Sequence, residues 1–130
     1  MIQDANAAAG SGFNKCKMLY SFAIGANMIF AIGHIGYAFV EYDNINETAL
    51  WFFSGALAVI FNTGLNTLCV REYSRLTHVI AMIANLALLS FSVVLAIVVT
   101  EIQTVCFAFL VLYTVIVCYI HNIRKPQKSI

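Results

Sequence analysis

Residues 76–99 read LTHVIAMIANLALLSFSVVLAIVV, a run without one Asp, Glu, Lys or Arg. A surface helix of a water-soluble domain carries polar and charged residues along one side, turn after turn. This run has none. At about 1.5 Å rise per residue a helix of this length covers the roughly 30 Å of bilayer hydrocarbon with length to spare. Three more apolar runs lie outward from it, at 18–40, 49–70 and 103–120. A backbone exposed to lipid must satisfy its own hydrogen bonds, which favours helices, and the strict alternation of a lipid-facing barrel strand is missing. The connections, 41–48, 71–75 and 100–102, are so short that each span must return beside the one before. The expected fold is therefore all-α: a polytopic membrane protein, an antiparallel up-down-up-down bundle of four transmembrane helices.

Composition agrees. The chain has 130 residues, of which 62% are hydrophobic and only 10% charged, against about 25% charged in an average soluble domain. That length holds one domain, expected over 15–123. The segment 1–14, rich in Ala, Gly and Ser from 6 to 11, reads as a disordered cytoplasmic tail, and 124–130 as a basic one. Lys15 and Lys17 precede the first run as in a signal peptide, but the run is far longer than an h-region of about 7–15 residues. It ends in Glu41-Tyr42-Asp43 instead of a small-residue cleavage site, so an uncleaved anchor is expected. No basic tract suits nucleic acid. Cys16, Cys69, Cys106 and Cys118 contain no Cys-x-x-Cys pair, hence neither a disulfide framework nor a zinc ribbon.

Charge sorts by loop. Every Lys and Arg falls before the first span (Lys15, Lys17), between the second and third (Arg71, Arg75), or after the fourth (Arg124, Lys125, Lys128). The opposite ends carry Glu41, Asp43, Glu47 and Glu101. The positive-inside rule then places both termini in the cytoplasm, with the chain in a plasma membrane or a bacterial inner membrane. Tyr37, Tyr42 and Trp51 are expected as outer interfacial anchors and Tyr20, Tyr73 and Tyr119 as inner ones. The sequon Asn46-Glu47-Thr48 lies hard against a span in a short loop, a poor place for a glycan.

Helices in lipid associate through small and hydrogen-bonding residues, so stripes of these mark the interior. The expected stripes are Asn27, Ala31, His34, Ala38 and Glu41; Trp51, Gly55, Ala58, Asn62, Asn66 and Cys69; His78, Ala81, Asn85, Ser92 and Ala96; and Cys106, Leu110, Tyr113, Val117 and His121. Counted at 1.5 Å per residue from the cytoplasmic ends, Asn27, Asn62, Asn85 and Tyr113 share a depth of roughly 12–14 Å. Such a layer either fixes the pairing of the helices or holds a small polar ligand or water. His34, near 24 Å with Ser54, Ser92 and Cys106, is the one ionisable group well inside the apolar zone. Donation to Ser54 or Ser92 would satisfy it, and Glu41 follows on its face.

The cytoplasmic ends gather Cys16, Cys69, Cys118, His78 and His121, atom types suited to zinc or haem. No motif presorts them, so no cofactor is expected, with His78, His121, Cys69 and Cys118 as the weak metal candidates. There is no His-Glu-x-x-His, Gly-x-Ser-x-Gly or phosphate loop, and no pair of buried carboxylates, so no enzyme is expected. What remains is a non-enzymatic interaction or accessory subunit, homo-oligomeric or bound to a second membrane protein, with Ser21 and Gly25 or Ser54 and Ala58 as docking faces. The alternative is a small oligomeric transporter or channel whose path is lined by His34, Asn27, Asn62 and Asn85.

Overall fold

The computed structural model describes residues 2–72 and 74–124, with side chains over 14–72 and 74–123. Four helices, α1 (Ile2–Glu41), α2 (Glu47–Arg71), α3 (Arg75–Val99) and α4 (Ile102–Arg124), make up nearly all of it, with no strand among the described residues. Each of the four apolar runs lies inside one helix. The first helix extends back to Ile2, so the backbone of residues 2–14, expected as a tail, continues α1. Ala5 and Ala7 to Ala9 are the strongest helix formers, and turns added to an existing helix escape the nucleation cost. Tyr73 and residues 125–130, with Lys125 and Lys128, lie outside the described residues.

The helix ends follow local chemistry. Asn46 caps α2, its side chain accepting from the Ala49 amide at 2.9 Å. The sequon asparagine is thus engaged by the backbone. Ser74 caps α3, accepting from the Thr77 amide at 3.0 Å. Between α3 and α4 the chain turns at Thr100, which sits in the left-handed region at φ 51° and closes α3 through a bond from its amide to the Ala96 carbonyl. A β-branched residue is strained there by about 1–2 kcal/mol. Glycine would relieve this while adding about 0.5–1 kcal/mol of unfolded-state entropy. Thr100→Gly is therefore expected to stabilise the protein by about 0.5–1 kcal/mol, seen as a higher unfolding midpoint in detergent.

α1 packs against α2 and α4, and α3 against α4 and α2, so the four helices close a ring. The core between them forms two clusters. One holds Tyr20, Ala23, Cys69, Ala81, Val117 and Cys118; the other holds Ala31, Val59, Phe107 and Val111. Most of these side chains are small, which lets the backbones approach closely. Amides, hydroxyls and imidazoles are buried beside them: Asn27, Asn62, Asn66, His78, Asn85, Thr114 and His121. Outside, the distribution is reversed, with Phe22, Ile29, Phe61, Ile97 and Ile102 all more than 60% exposed. All four helices are long and apolar enough to cross a membrane, at 28, 25, 25 and 22 residues.

Burial adjusts the expected faces. On α3 the interior is His78, Ala81, Asn85 and Ser92, with Ala96 half-buried. On α2 it is Asn62, Thr63, Asn66 and Cys69 in one half and Ala49, Ala56 and Val59 in the other; Trp51 and Ala58 face outward. On α4 the interior runs through Thr104, Phe107, Val111, Thr114, Val117, Cys118 and His121, while Cys106 is exposed and Leu110 and Tyr113 half-buried. Tyr20, expected as an interfacial anchor, is completely buried.

Candidate functional site

The polar network of the core joins Asn66 on α2 to Asn85 on α3. The Asn85 side-chain oxygen accepts from Asn62 Nδ2 at 2.8 Å and from Asn66 Nδ2 at 2.9 Å, which fills both of its lone pairs. The Nδ2 of Asn85 donates to Asn66 Oδ1 at 2.8 Å. Asn66 is filled as well: its other Nδ2 proton goes to the Asn62 carbonyl at 2.7 Å, and the Tyr20 hydroxyl donates to its Oδ1 at 2.5 Å. Three helices are thereby tied at one level, α1 through Tyr20, α2 through Asn62 and Asn66, and α3 through Asn85. A lipid-facing amide would have no such partners, and the i, i+4 spacing of Asn62 and Asn66 puts both on the face that meets Asn85.

Asn27 belongs to a separate pair. Its Nδ2 donates to the Ala23 carbonyl and to Thr114 Oγ1, both at 2.8 Å, and Thr114 in turn donates to the Leu110 carbonyl. This links α1 to α4. Tyr113, the expected member of the layer, is half-buried and packs against the cluster around Tyr20 and Cys69; its neighbour Thr114 makes the bond. One residue is about 100° of rotation on a helix, enough to exchange the two. Two buried acceptors, Asn27 Oδ1 and Asn62 Oδ1, have no hydrogen-bond partner among the described residues.

His34 does not join these groups. Its ring stacks on Phe52 of α2 at 4.5 Å and on Phe30 at 6.0 Å, and Phe30 stacks on Phe107 of α4 at 4.5 Å. The histidine is half-buried inside an aromatic stack that crosses three helices. Ser54 is exposed and bonds to the Trp51 carbonyl, Ser92 bonds to the Leu89 carbonyl, and Glu41 lies exposed against Tyr37. The groups expected near 24 Å depth therefore do not assemble into a site.

A second cluster adjoins the amides. His78 Nδ1 lies 3.7 Å from Cys69 Sγ and 4.0 Å from Cys118 Sγ, so α3 presents one imidazole nitrogen to thiols from α2 and α4. All three ligand atoms fall within 4.8 Å of one another and all three residues are buried. Tyr20 approaches both thiols and Asn85 approaches Cys118. His121, one turn beyond Cys118, packs its ring 5.4 Å from that of Tyr20. Cys16 is buried too.

No family model, curated protein or solved structure matches this chain. The site has to be read from its own atoms. Of the expected polar residues, Asn62, Asn66 and Asn85 come together, Asn27 stands with Thr114, and His34 and Tyr113 stand apart. Of the weak metal candidates, Cys69, His78 and Cys118 come together, with His121 beside Tyr20. Tyr20 and Thr114 were not expected as members. A signal for Tyr20 does exist, since stepping back seven residues along one face from Asn27 passes Ala23 and arrives at it. Thr114 carries no such mark, because threonine is common on both faces of an apolar helix.

Two open grooves line the outside of the bundle. One is bounded by Phe22, Gly25, Ala26, Ile29, Phe30 and Leu110, between α1 and α4. The other lies between α3 and α4, around Leu89, Ala96, Ala108 and Leu112. Both are apolar, and neither includes a residue of the amide network.

Proposed function

We propose that this chain is a multi-pass membrane protein, crossing up-down-up-down with both termini cytoplasmic, that acts as a non-enzymatic interaction or accessory subunit. The apolar exterior and polar interior support insertion, because hydrocarbon rewards the first and penalises an unpaired version of the second. The gathering of Lys and Arg at one set of helix ends supports the orientation. The central amides support a packing role, since Asn66 uses its full side-chain hydrogen-bonding capacity, and Asn85 three of its four positions, on protein partners.

The observation that carries the interaction role is the state of the helical glycines. Gly25, Gly33, Gly36, Gly55 and Gly64 all have open space where a Cβ would sit. Glycine inside a helix costs about 1 kcal/mol relative to alanine. The fold of the single chain offers no compensation at these five positions, whereas close approach by another helix would. Ser21, Gly25 and Gly36 fall within a sector of roughly 60° on α1, all three exposed, and Gly25 floors one of the apolar grooves.

Mass spectrometry of the complex, gently extracted from its native membrane with lipids and partners retained, tests this. A stoichiometric second membrane protein or a second copy of the chain is expected. A lone chain would overturn the proposal, and an oligomer carrying a small polar molecule would favour the transporter alternative, with Asn27 Oδ1 and Asn62 Oδ1 as the acceptors awaiting a donor.

A further inference from the structure

We propose that Cys69, His78 and Cys118 form a zinc site buried in the bundle near its basic helix ends. The proposal is independent of what the exterior of the bundle binds. A tetrahedral zinc holds sulfur at about 2.3 Å and imidazole nitrogen at about 2.0–2.1 Å, which sets S···N near 3.6 Å and S···S near 3.8 Å. Here the two S···N separations are 3.7 and 4.0 Å, and all three donors lie within 4.8 Å. The imidazole–sulfur separations need to close by only a few tenths of an ångström, and the two sulfurs by at most about 1 Å. One nitrogen, Nδ1, faces both sulfurs, so a single ring orientation serves the whole triad.

Charge selects the ion. Buried ions are costly unless neutralised. Two thiolates, a neutral imidazole and Zn(II) sum to zero, whereas Cu(I), which also suits soft donors, would leave a net negative charge in the interior. Binding exchanges the two thiol protons for the metal: both S–H bonds break, the protons pass to solvent, and two Zn–S bonds and one Zn–N bond form with no change of oxidation state. Asn85 stands beside Cys118 as an outer donor, itself fixed by Asn62 and Asn66, while the Tyr20 hydroxyl, its proton given to Asn66, packs beside both sulfurs. Among the described residues the cluster holds three donors, so the fourth tetrahedral position would fall to water. The site lies two residues from Arg71 and three from Arg75, so the metal would clamp the α2–α3 turn onto α4.

The test uses the full-length protein in detergent or nanodiscs. Purified reduced protein is expected to contain about one zinc per chain by elemental analysis. Exchange into Co(II) is expected to give thiolate-to-cobalt charge transfer in the near ultraviolet, with the intense visible bands of a tetrahedral site, reversed by added zinc. Cys69→Ser and Cys118→Ser should each weaken binding by more than the roughly 10–100-fold that follows loss of an outer donor. Cys106→Ser, exposed and outside the cluster, should leave it unchanged. A wild-type protein with no charge-transfer band sinks the proposal whatever the variants do. So does equal zinc in wild type and Cys69→Ser, or an intact mass showing a Cys69–Cys118 disulfide in the protein as isolated.

Discussion

Replacing Asn85 with leucine is expected to cost the bundle about 2–4 kcal/mol. Interhelical hydrogen bonds in membranes average about 0.6 kcal/mol and reach about 1.7. Asn85 makes three of them, so their direct sum is near 2 kcal/mol. Leucine also strands Nδ2 of Asn62 and one proton of Asn66 in the core, each a buried donor worth about 1–3 kcal/mol when unsatisfied, partly offset by relaxation. Asn62→Leu provides the contrast. It removes one bond, but also removes a side-chain oxygen that has no partner, so a change within about 1 kcal/mol is expected. Unfolding in mixed micelles by SDS, followed by circular dichroism, would measure both. Equal costs for the two variants would mean that the bonds of Asn85 do not hold the network together.

That contrast shows where the sequence was informative and where it was not. Apart from the start of α1, which reaches back to Ile2, the length and continuity of the apolar runs placed the helix ends within a few residues, because a helix in lipid has to be nearly as long as the bilayer is thick. On α3 the inward face was legible because His78, Asn85 and Ser92 interrupt an otherwise aliphatic sequence at helical spacing. Half of α2 was legible for the same reason, through Asn62, Asn66 and Cys69. Its other half was not, since Trp51, Gly55 and Ala58 can serve a lipid face as well as a helix interface. On α4 aliphatic residues occupy every face, so hydropathy gives no contrast, and the buried line through Phe107, Val111 and Thr114 emerges only from packing.

Depth and rotation also carry different amounts of information. Counting along a helix puts Asn27, Asn62, Asn85 and Tyr113 at one level, but it cannot fix which of two adjacent residues turns inward, and Thr114 replaces Tyr113. Tyr20 illustrates the same gap, for a tyrosine close to a span end serves equally as a headgroup anchor or as a buried donor. The thiol–imidazole cluster was legible only as a gathering at one end. Its members come from three helices, His78 nine positions after Cys69 and Cys118 forty after His78, so no local spacing announces them. The aromatic stack holding His34 was hidden because Phe30, Phe52 and Phe107 look like lipid-facing residues in any one helix.

Gly25→Ile is expected to dissociate the proposed assembly while leaving the single-chain fold intact. Beyond the adjoining backbone of α1, no atom of the described residues lies within 4 Å of the added Cβ, so the Cβ meets no clash inside the chain. Isoleucine is also a better helix former than glycine by about 0.5 kcal/mol, so the isolated bundle should be as stable as before or slightly more so. A partner helix seated against Ser21, Gly25 and Gly36 would instead meet a branched side chain at its point of closest approach. Association should then weaken by about tenfold or more, equivalent to at least about 1.4 kcal/mol, read as loss of the partner or second copy in native mass spectrometry. Gly64→Ile, on α2 and equally free of contacts, asks the same of a different face. Retention of the assembly by both variants, with unaltered unfolding, would mean that these glycines face lipid and that the partner, if bound, docks elsewhere on the bundle. Loss of the assembly in Gly25→Ile alone would place the contact on the exposed face of α1, beside the groove that Gly25 shares with Phe22, Ile29 and Leu110.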